Sequence, residues 1–132
     1  SNWVTGVQTC ALPILYCTGV GKAILATQSY GEAERVWRKS SIRALTAHTI
    51  TDFDAFIEQL KRVRMAGYAI DDEENELGIR CVALAVPGMN GRAEAAFSIS
   101  GLAAQMTDDR IEHLARMGLA ARQDILRDLG WK

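Results

Sequence analysis

Residues 79–86 constrain the fold of this 132-residue chain most, because they are apolar at nearly every position. A strand without a polar side needs cover on both faces, so it is predicted to lie inside a sheet between two layers. A turn over residues 87–91, rich in proline, glycine and asparagine, follows it. Residues 92–100 then predict a returning strand, so the two segments should form a β-hairpin.

The parity of this hairpin predicts which side chains share a face. With a two-residue loop the paired positions sum to 181 and Cys81 lies opposite Ser100; with a four-residue loop they sum to 179 and Cys81 lies opposite Ser98. Both sums are odd, so in either register the thiol and the two hydroxyls point to the same side. Only a three-residue loop or a bulge would separate them. The predicted face comprises Ile79, Cys81, Ala83, Ala85, Ala96, Ser98 and Ser100.

This face carries small side chains with neutral hydrogen-bond donors, which favours a ligand-binding concavity over a packed interior. In the alternative interpretation, Ser98 and Ser100 bond to nearby backbone while a helix packs closely over the alanines. The opposite face of the hairpin is predicted to be ordinary hydrophobic core, formed by Val82, Leu84, Val86, Phe97 and Ile99.

Helical patterns precede and follow the hairpin. Thr18 is predicted to cap a short helix, and a second helix should cover residues 31–40. The clearest helical period begins after Thr51, which is expected to act as the cap, and ends at Gly67. Thr107 is predicted to cap a final helix. The buried stripe of that helix is predicted to be Ile111, Leu114, Gly118, Ala121 and Ile125.

The order of elements predicts an α+β fold with an antiparallel sheet flanked by helices. A hairpin and one short strand at 68–71 make an unusually small sheet, so we expect the first strands of the domain to be missing. Residues 4–14 resemble the translation of a sequencing-adapter oligonucleotide, although a genuine irregular arm is the alternative. The predicted organisation is therefore a non-native arm over residues 1–14 and one domain over 15–132.

Five carboxylates fall within residues 71–76, and they could form a metal site, a solvated turn or one wall of a pocket. The spacing fails the EF-hand pattern, which argues against calcium. We expect Asp71 to face the pocket as the last residue of its strand and the other four carboxylates to lie mainly in solvent. Gly19, Gly21 and Lys22 suggest a phosphate-binding loop, but the motif requires a Ser or Thr after the lysine, and Ala23 stands there. Lys22 is therefore also predicted to be solvated.

Composition argues against several functional classes. The chain has fifteen basic and sixteen acidic residues and no cluster of basic residues that would bind nucleic acid. It also has no apolar run of the ~20 residues that a helix needs to cross a bilayer. Three cysteines without a CxxC pair predict free thiols in the cytoplasm. Two histidines without a Cys/His cluster argue against zinc, and we expect neither a metal nor a cofactor.

Several segments together resemble the effector-binding domain of IclR-type bacterial transcription regulators. They are "YCTGVGKAILA", "TAHTITD", "GYAIDDEENELGIRCVALAV", "NGR" followed by "AAFSISG", and "MTDDRIEHLA". The resemblance implies a GAF-like domain preceded by a winged helix-turn-helix domain, in a regulator that forms homodimers or homotetramers. DNA binding would then belong to that N-terminal domain, expected upstream of Leu15, and not to this chain.

The resemblance also implies a ligand, typically a small keto, hydroxy, sugar or aromatic acid. A helix start offers free N–H groups to a carboxylate, and serine hydroxyls donate without adding charge. The implied ligand-binding positions are Gly19, Val20, Asp71, Ile79, Cys81, Ser98 and Ser100.

The predicted function is therefore a non-enzymatic sensor of a small carboxylate effector, without contact with a membrane. Two other classes stay open at this point. One is an enzyme that uses Cys81 as a nucleophile on a carbonyl substrate. The other is an oligomerisation domain without a ligand, in which side chains would fill the pocket.

Overall fold

A computed structural model describes residues 15–130 of the chain. The predicted arm at residues 1–14 lies outside this range, as do the last two residues. None of the helices in the described range is long and apolar enough to span a bilayer. The elements are α1 (Gly19–Leu25), α2 (Tyr30–Lys39), α3 (Phe53–Ala66), β1 (Ala69–Asp72), β2 (Ile79–Pro87), β3 (Ala93–Leu102) and α4 (Asp108–Asp128).

The three strands form one antiparallel sheet in the order β1-β2-β3, which confirms the predicted α+β class. The hairpin loop is neither of the two expected lengths. Gly88 N–H donates to the Arg92 carbonyl at 2.7 Å, which leaves a three-residue loop in which Gly91 has φ +82°. A register shift between Val86 and Pro87 compensates for the odd number of loop residues. Most of β2 and β3 therefore pair in the register that a two-residue loop predicts.

The predicted cover on both faces of β2 is confirmed, since residues 81–86 are all buried. Ala83 and Ala85 belong to a core built with α1, α2 and α3. Val82 and Leu84 belong to a second core beneath α4. The sheet therefore lies between α1, α2 and α3 on one face and α4 on the other, and β3 lies at one edge of the sheet that the structure describes.

The helix ends agree with the sequence at three of four predicted positions. The Thr18 hydroxyl accepts from Gly21 N–H at 3.0 Å, and the Thr107 hydroxyl accepts from Arg110 N–H at 3.2 Å. Gly67 ends α3 with φ +88°. The prediction for the start of α3 is wrong, because the cap is Asp52, one residue after Thr51. A carboxylate caps as well as a hydroxyl, so adjacent Thr and Asp compete for this position.

The predicted buried stripe of α4 is correct near its start and wrong near its end. Ala121 and Ile125 are exposed, whereas Ala115 and Leu126 are buried together with Ile111 and Gly118. The expected set repeats every 3.5 residues, whereas a straight α-helix has 3.6 residues per turn. Over a helix of 21 residues this difference moves the buried face by one position.

Candidate functional site

The start of α1 lies directly on the sheet, where Gly19 contacts β1 and β2. A β-carbon added at Gly19 would lie 2.7 Å from Cys81 Sγ, 3.0 Å from Ala83 Cβ and 3.7 Å from Asp71 Cβ. No other residue type fits without displacement, so glycine is required here for close approach. The structure therefore brings together three of the predicted site residues, Gly19, Asp71 and Cys81.

Ser98 and Ser100 lie on the adjacent strand, on the same face. Ser100 pairs with Cys81 and Ser98 pairs with Ala83. The prediction that the thiol and the two hydroxyls share a face is thus confirmed, although a loop and a bulge that would each reverse the parity combine to preserve it. Both serines are exposed, because they lie on the edge strand beyond the cover of α1.

The alternative interpretation of this face holds only in part. A helix does pack closely over Ala83 and Ala85, which are buried. Within residues 15–130, however, neither serine hydroxyl bonds to a protein group. The face therefore has a closed half under α1 and an open half whose donors are free to bind a ligand.

Val20 and Ile79 lie at the margins of this site. Val20 is half-buried and packs against the core that contains α1, α2 and α3. Ile79 is half-buried at the beginning of β2, where it pairs with Leu102. Ile79 shares the face of Cys81 because two residues separate them along the strand.

The Asp71 carboxylate is turned toward the protein interior, with 6% of the residue exposed. Its Oδ1 accepts a hydrogen bond from Glu74 N–H at 2.9 Å. Burial raises the pKa of Asp71, opposed mainly by that hydrogen bond and by the charge of Lys22. Asp71 thus stabilises the turn that follows β1 and also lies next to Cys81 on the shared face.

Two predictions about charged residues are wrong. Lys22 is fully buried, and its Nζ donates to Glu74 Oε2 and to the Ile70 carbonyl, each at 2.6 Å. Glu74 is 4% exposed and not part of a solvated turn. Glu73 adopts φ +60°, which lets the chain fold back so that the Glu74 side chain reaches the base of α1.

A sequence signal for Lys22 was available. It stands three residues after Gly19 and four before Ala26, so all three occupy one face of α1. Gly19 and Ala26 are both buried, and Lys22 between them on that face is buried as well. A buried ammonium then requires an anionic partner, although the sequence does not show which carboxylate supplies it.

The rest of the acidic segment behaves as a structural turn. Asp72 and Glu76 are exposed as predicted, and Asp72 pairs with Arg80 at 3.0 Å. The Thr46 and Thr49 hydroxyls donate to the carbonyls of Glu73 and Glu74 at 2.6 and 2.5 Å. Among residues 15–130, the structure has no group of three or more His, Cys, Asp or Glu side chains that could hold a metal ion.

Neither Cys17 nor Cys81, the two cysteines in the described range, forms a disulfide, and both are buried. Burial raises the pKa of Cys81, and nearby Asp71 raises it further, whereas the N–H groups of Gly19 and Asp71 lower it. Burial, aided by Asp71 and Glu74, raises the pKa of Cys17 to about 11. Both thiols are therefore protonated at neutral pH and are poor nucleophiles.

The site therefore combines a buried thiol with two exposed hydroxyls on a sheet that the start of α1 overlies. The chain belongs to the IclR family of bacterial transcription regulators, since the family model "Bacterial transcriptional regulator IclR C-terminal" matches residues 11–127. It is thus a regulatory ligand-binding domain of that family. The matched relatives are transcription regulators, which confirms the prediction that the chain is not an enzyme.

Individual relatives agree with this assignment. The transcriptional repressor AllR of Salmonella typhi is 34% identical over 131 residues, covering 96% of this chain and 48% of AllR. The crystal structure of Thermotoga maritima IclR superposes with a TM-score of 0.82 at 36% identity, covering 89% of this chain and 47% of that one. This chain thus spans about half the length of either protein.

A third relative was solved with a ligand. It is the inducer-binding domain of a double mutant of the Acinetobacter transcription factor PobR, in complex with 3-hydroxybenzoic acid. It superposes with a TM-score of 0.77 at 27% identity, covering 87% of this chain and 66% of that one.

Proposed function

We propose that this chain forms a cleft between the start of α1 and the hydroxyls of β3, here called the effector cleft, and binds a small organic monocarboxylate there. In the whole regulator, binding would control a winged helix-turn-helix domain that precedes this one and contacts DNA. The proposed site residues are those that the sequence predicts: Gly19, Val20, Asp71, Ile79, Cys81, Ser98 and Ser100.

The observation that carries this proposal is the pair of serines on β3. Ser98 and Ser100 are exposed and lie on the face of Cys81, and their hydroxyls make no hydrogen bond to another residue of the described range. Two O–H donors can bind one carboxylate and contribute no charge of their own. Hydrogen bonds to a charged group are about twice as strong as neutral ones, so two such donors supply useful affinity.

The chemistry around the serines favours one carboxylate over two. Asp71 lies beside Cys81, and its charge would repel a second anionic group of the ligand. The 3-hydroxybenzoic acid bound to the PobR domain is a monocarboxylate with a hydroxyl, which supports this class. Cys81 would form a small polarizable wall of the site.

The same proposal includes how binding acts on the whole protein. Homodimers or homotetramers of the regulator would have two arrangements that differ in affinity for an operator. An effector that prefers one arrangement shifts the balance by ~1–3 kcal/mol in typical allosteric proteins, which is a 5–150-fold change in affinity. The regulator would act as a repressor or an activator in the cytoplasm, where its DNA is.

Calorimetry tests the site and the ligand class together. The 132-residue chain is titrated with pyruvate, lactate, gluconate and 3-hydroxybenzoate, which represent keto, hydroxy, sugar and aromatic acids. We expect at least one to bind, and Ser100→Ala to weaken that binding about tenfold or more, because a hydrogen bond to a charged group is lost. Ser41→Ala, at an exposed serine after α2, is the matched control and should bind normally.

The contrary outcomes separate the two parts of the proposal. An acid that binds Ser100→Ala as tightly as the unchanged chain contradicts the site. Failure of all four acids to bind contradicts the ligand class and supports an oligomerisation domain without a ligand.

A further inference from the structure

A cavity of about 480 Å³ lies at the opposite end of β2 from the proposed effector cleft. It opens where the last turns of α1 and α3 meet α4 beside Ala85 and Pro87. Its volume falls within the range of small-molecule sites, ~300–1,000 Å³. None of its lining residues in the described range belongs to the proposed effector cleft.

Arg122 from α4 lines this cavity as a half-buried cation. Its Nη1 donates to the Gly67 carbonyl at 2.9 Å and to the Ala85 carbonyl at 3.4 Å. No acidic side chain in the described part of the chain forms an ion pair with it. Burial lowers the pKa of Arg122, and no carboxylate among residues 15–130 opposes that effect.

Carbonyl dipoles do not neutralise a full positive charge. Arg122 engages both carbonyls through one nitrogen, so Nε and Nη2 keep N–H groups without a protein partner in the described range. Five N–H donors in a planar fork match a carboxylate better than any neutral acceptor. A half-buried guanidinium without a counter-charge is therefore stabilised when an anion binds beside it.

A second arginine lines the same cavity and is held in place. Arg64 donates from Nε to the Ala26 carbonyl at 2.9 Å and from Nη2 to the Gln28 carbonyl at 2.6 Å. Its guanidinium also lies 4.7 Å from the centre of the Tyr30 ring. With both arginines in the lining, the cavity carries two positive charges, and no acidic side chain that the structure describes lines it.

The remaining wall is apolar, formed by Ala23, Val63, Ala85 and Leu126. We propose that this cavity is a second ligand site, which binds a monocarboxylate with a short apolar body. The carboxylate lies against the Arg122 guanidinium, and the apolar body contacts the alanine, valine and leucine side chains. The site is separate from the effector cleft. The two sites should also differ in the acids that they prefer, since the cleft offers neutral hydroxyls to a carboxylate and this cavity offers cationic guanidinium groups.

The test uses hexanoate as the probe and hexanamide as its uncharged control, both titrated into the 132-residue chain by calorimetry. Hexanoate should bind saturably below about 10 mM, and hexanamide about tenfold more weakly. Arg122→Met keeps the length of the side chain and removes the charge, so it should weaken hexanoate binding about tenfold or more. Arg116→Met, at an exposed arginine of the same helix that pairs with Glu112, should leave hexanoate binding unchanged.

Two further variants distinguish loss of the site from loss of the fold. Arg122→Met loses bonds to two carbonyls, so Gln123→Trp serves as a second variant that narrows the cavity from an exposed lining position. It should weaken hexanoate binding while the circular dichroism spectrum stays unchanged. Ser100→Ala should bind hexanoate normally, because that serine belongs to the effector cleft.

Three results would overturn the second site. They are no saturable binding of hexanoate, equal binding of hexanoate and hexanamide, or binding that Ser100→Ala abolishes while Arg122→Met and Gln123→Trp retain it. The last result would assign hexanoate to the effector cleft. Failure of the acid panel to bind at Ser100 leaves the prediction for hexanoate intact, so the two proposals are tested separately.

Discussion

Lys22 Nζ lies 2.6 Å from Glu74 Oε2, and both side chains of this ion pair are buried. The two residues are 52 positions apart in the chain, and their contact joins α1 to the turn after β1. Lys22 also donates to the Ile70 carbonyl, so a single ammonium group connects the helix with the strand and the turn. This pair holds the start of α1 over Cys81 and is therefore part of what shapes the proposed effector cleft.

Removing the ammonium of this pair should destabilise the domain severely. Lys22→Met leaves the Glu74 carboxylate buried without a partner, a change that typically costs ~3–5 kcal/mol. Urea unfolding followed by circular dichroism measures the loss. Lys61→Met is the control, since Lys61 pairs with Glu58 in solvent and exposed pairs contribute little. Equal stability of Lys22→Met and the unchanged chain would show that the buried pair does not form.

The two buried carboxyls predict an unusual dependence of stability on pH. Burial raises the pKa of Asp71 and of Glu74 above their ordinary values of 3.8 and 4.5, since one ammonium cannot neutralise both. Above the ordinary value, the unfolded chain releases a proton that the folded chain still holds. The contribution of these two carboxyls to the free energy of unfolding therefore falls as pH rises from about 4 until the raised pKa values are passed.

Asp71→Asn isolates the contribution of one carboxyl to this dependence. Its free energy of unfolding, measured by urea at about pH 4 to about pH 7, should decline less than that of the unchanged chain. Asp72→Asn, at the exposed neighbouring position, should keep the original slope. If Asp71→Asn and the unchanged chain show parallel curves, the Asp71 carboxyl does not titrate as its burial predicts.

The close approach of α1 to the sheet predicts that Gly19 tolerates no side chain. In Gly19→Ala the new methyl group would overlap Cys81 Sγ, so we expect a loss of ~1–3 kcal/mol in unfolding free energy. Gly31→Ala is the control, because the nearest atom there lies 3.9 Å away. Adding Cys81→Ala to Gly19→Ala should recover part of the loss, and no recovery would show that the sulfur is not the obstacle.

The thiols of Cys17 and Cys81 should be alkylated slowly in the folded domain. In a Cys10→Ser background, alkylation by iodoacetamide at neutral pH should be slow for Cys17 and Cys81, because both are buried and both pKa values are raised. In urea both should react at the rate of a free cysteine. Rapid alkylation of Cys81 in the native state would restore the hypothesis of a nucleophile.

The hairpin and the helices could be predicted from local patterns because their determinants are local. Thr18, Gly67 and Thr107 end or begin helices through bonds to residues at most four positions away. The parity of the hairpin was predicted correctly although its loop was not. Since the buried face is specified by the pattern of side chains, the bulge beside Pro87 restores the register that the three-residue loop would otherwise shift.

The Lys22–Glu74 pair and the cavity beside Arg122 could not be predicted in this way. Both depend on contacts between residues tens of positions apart, so the sequence does not show which carboxylate meets Lys22 or which carbonyls meet Arg122. The exposure of Ser98 and Ser100 was also missed, because alternation predicts which face a side chain occupies but not how far a covering helix extends.

The most direct test of the effector cleft is to map where an acid binds. Amide chemical shifts of the ¹⁵N-labelled chain are recorded with and without the acid from the calorimetric panel that binds most tightly. We predict the largest changes at Gly19, Cys81, Ser98 and Ser100, and their loss in Ser100→Ala. Changes confined to residues far from β3, or an unchanged response in Ser100→Ala, would contradict binding in this cleft.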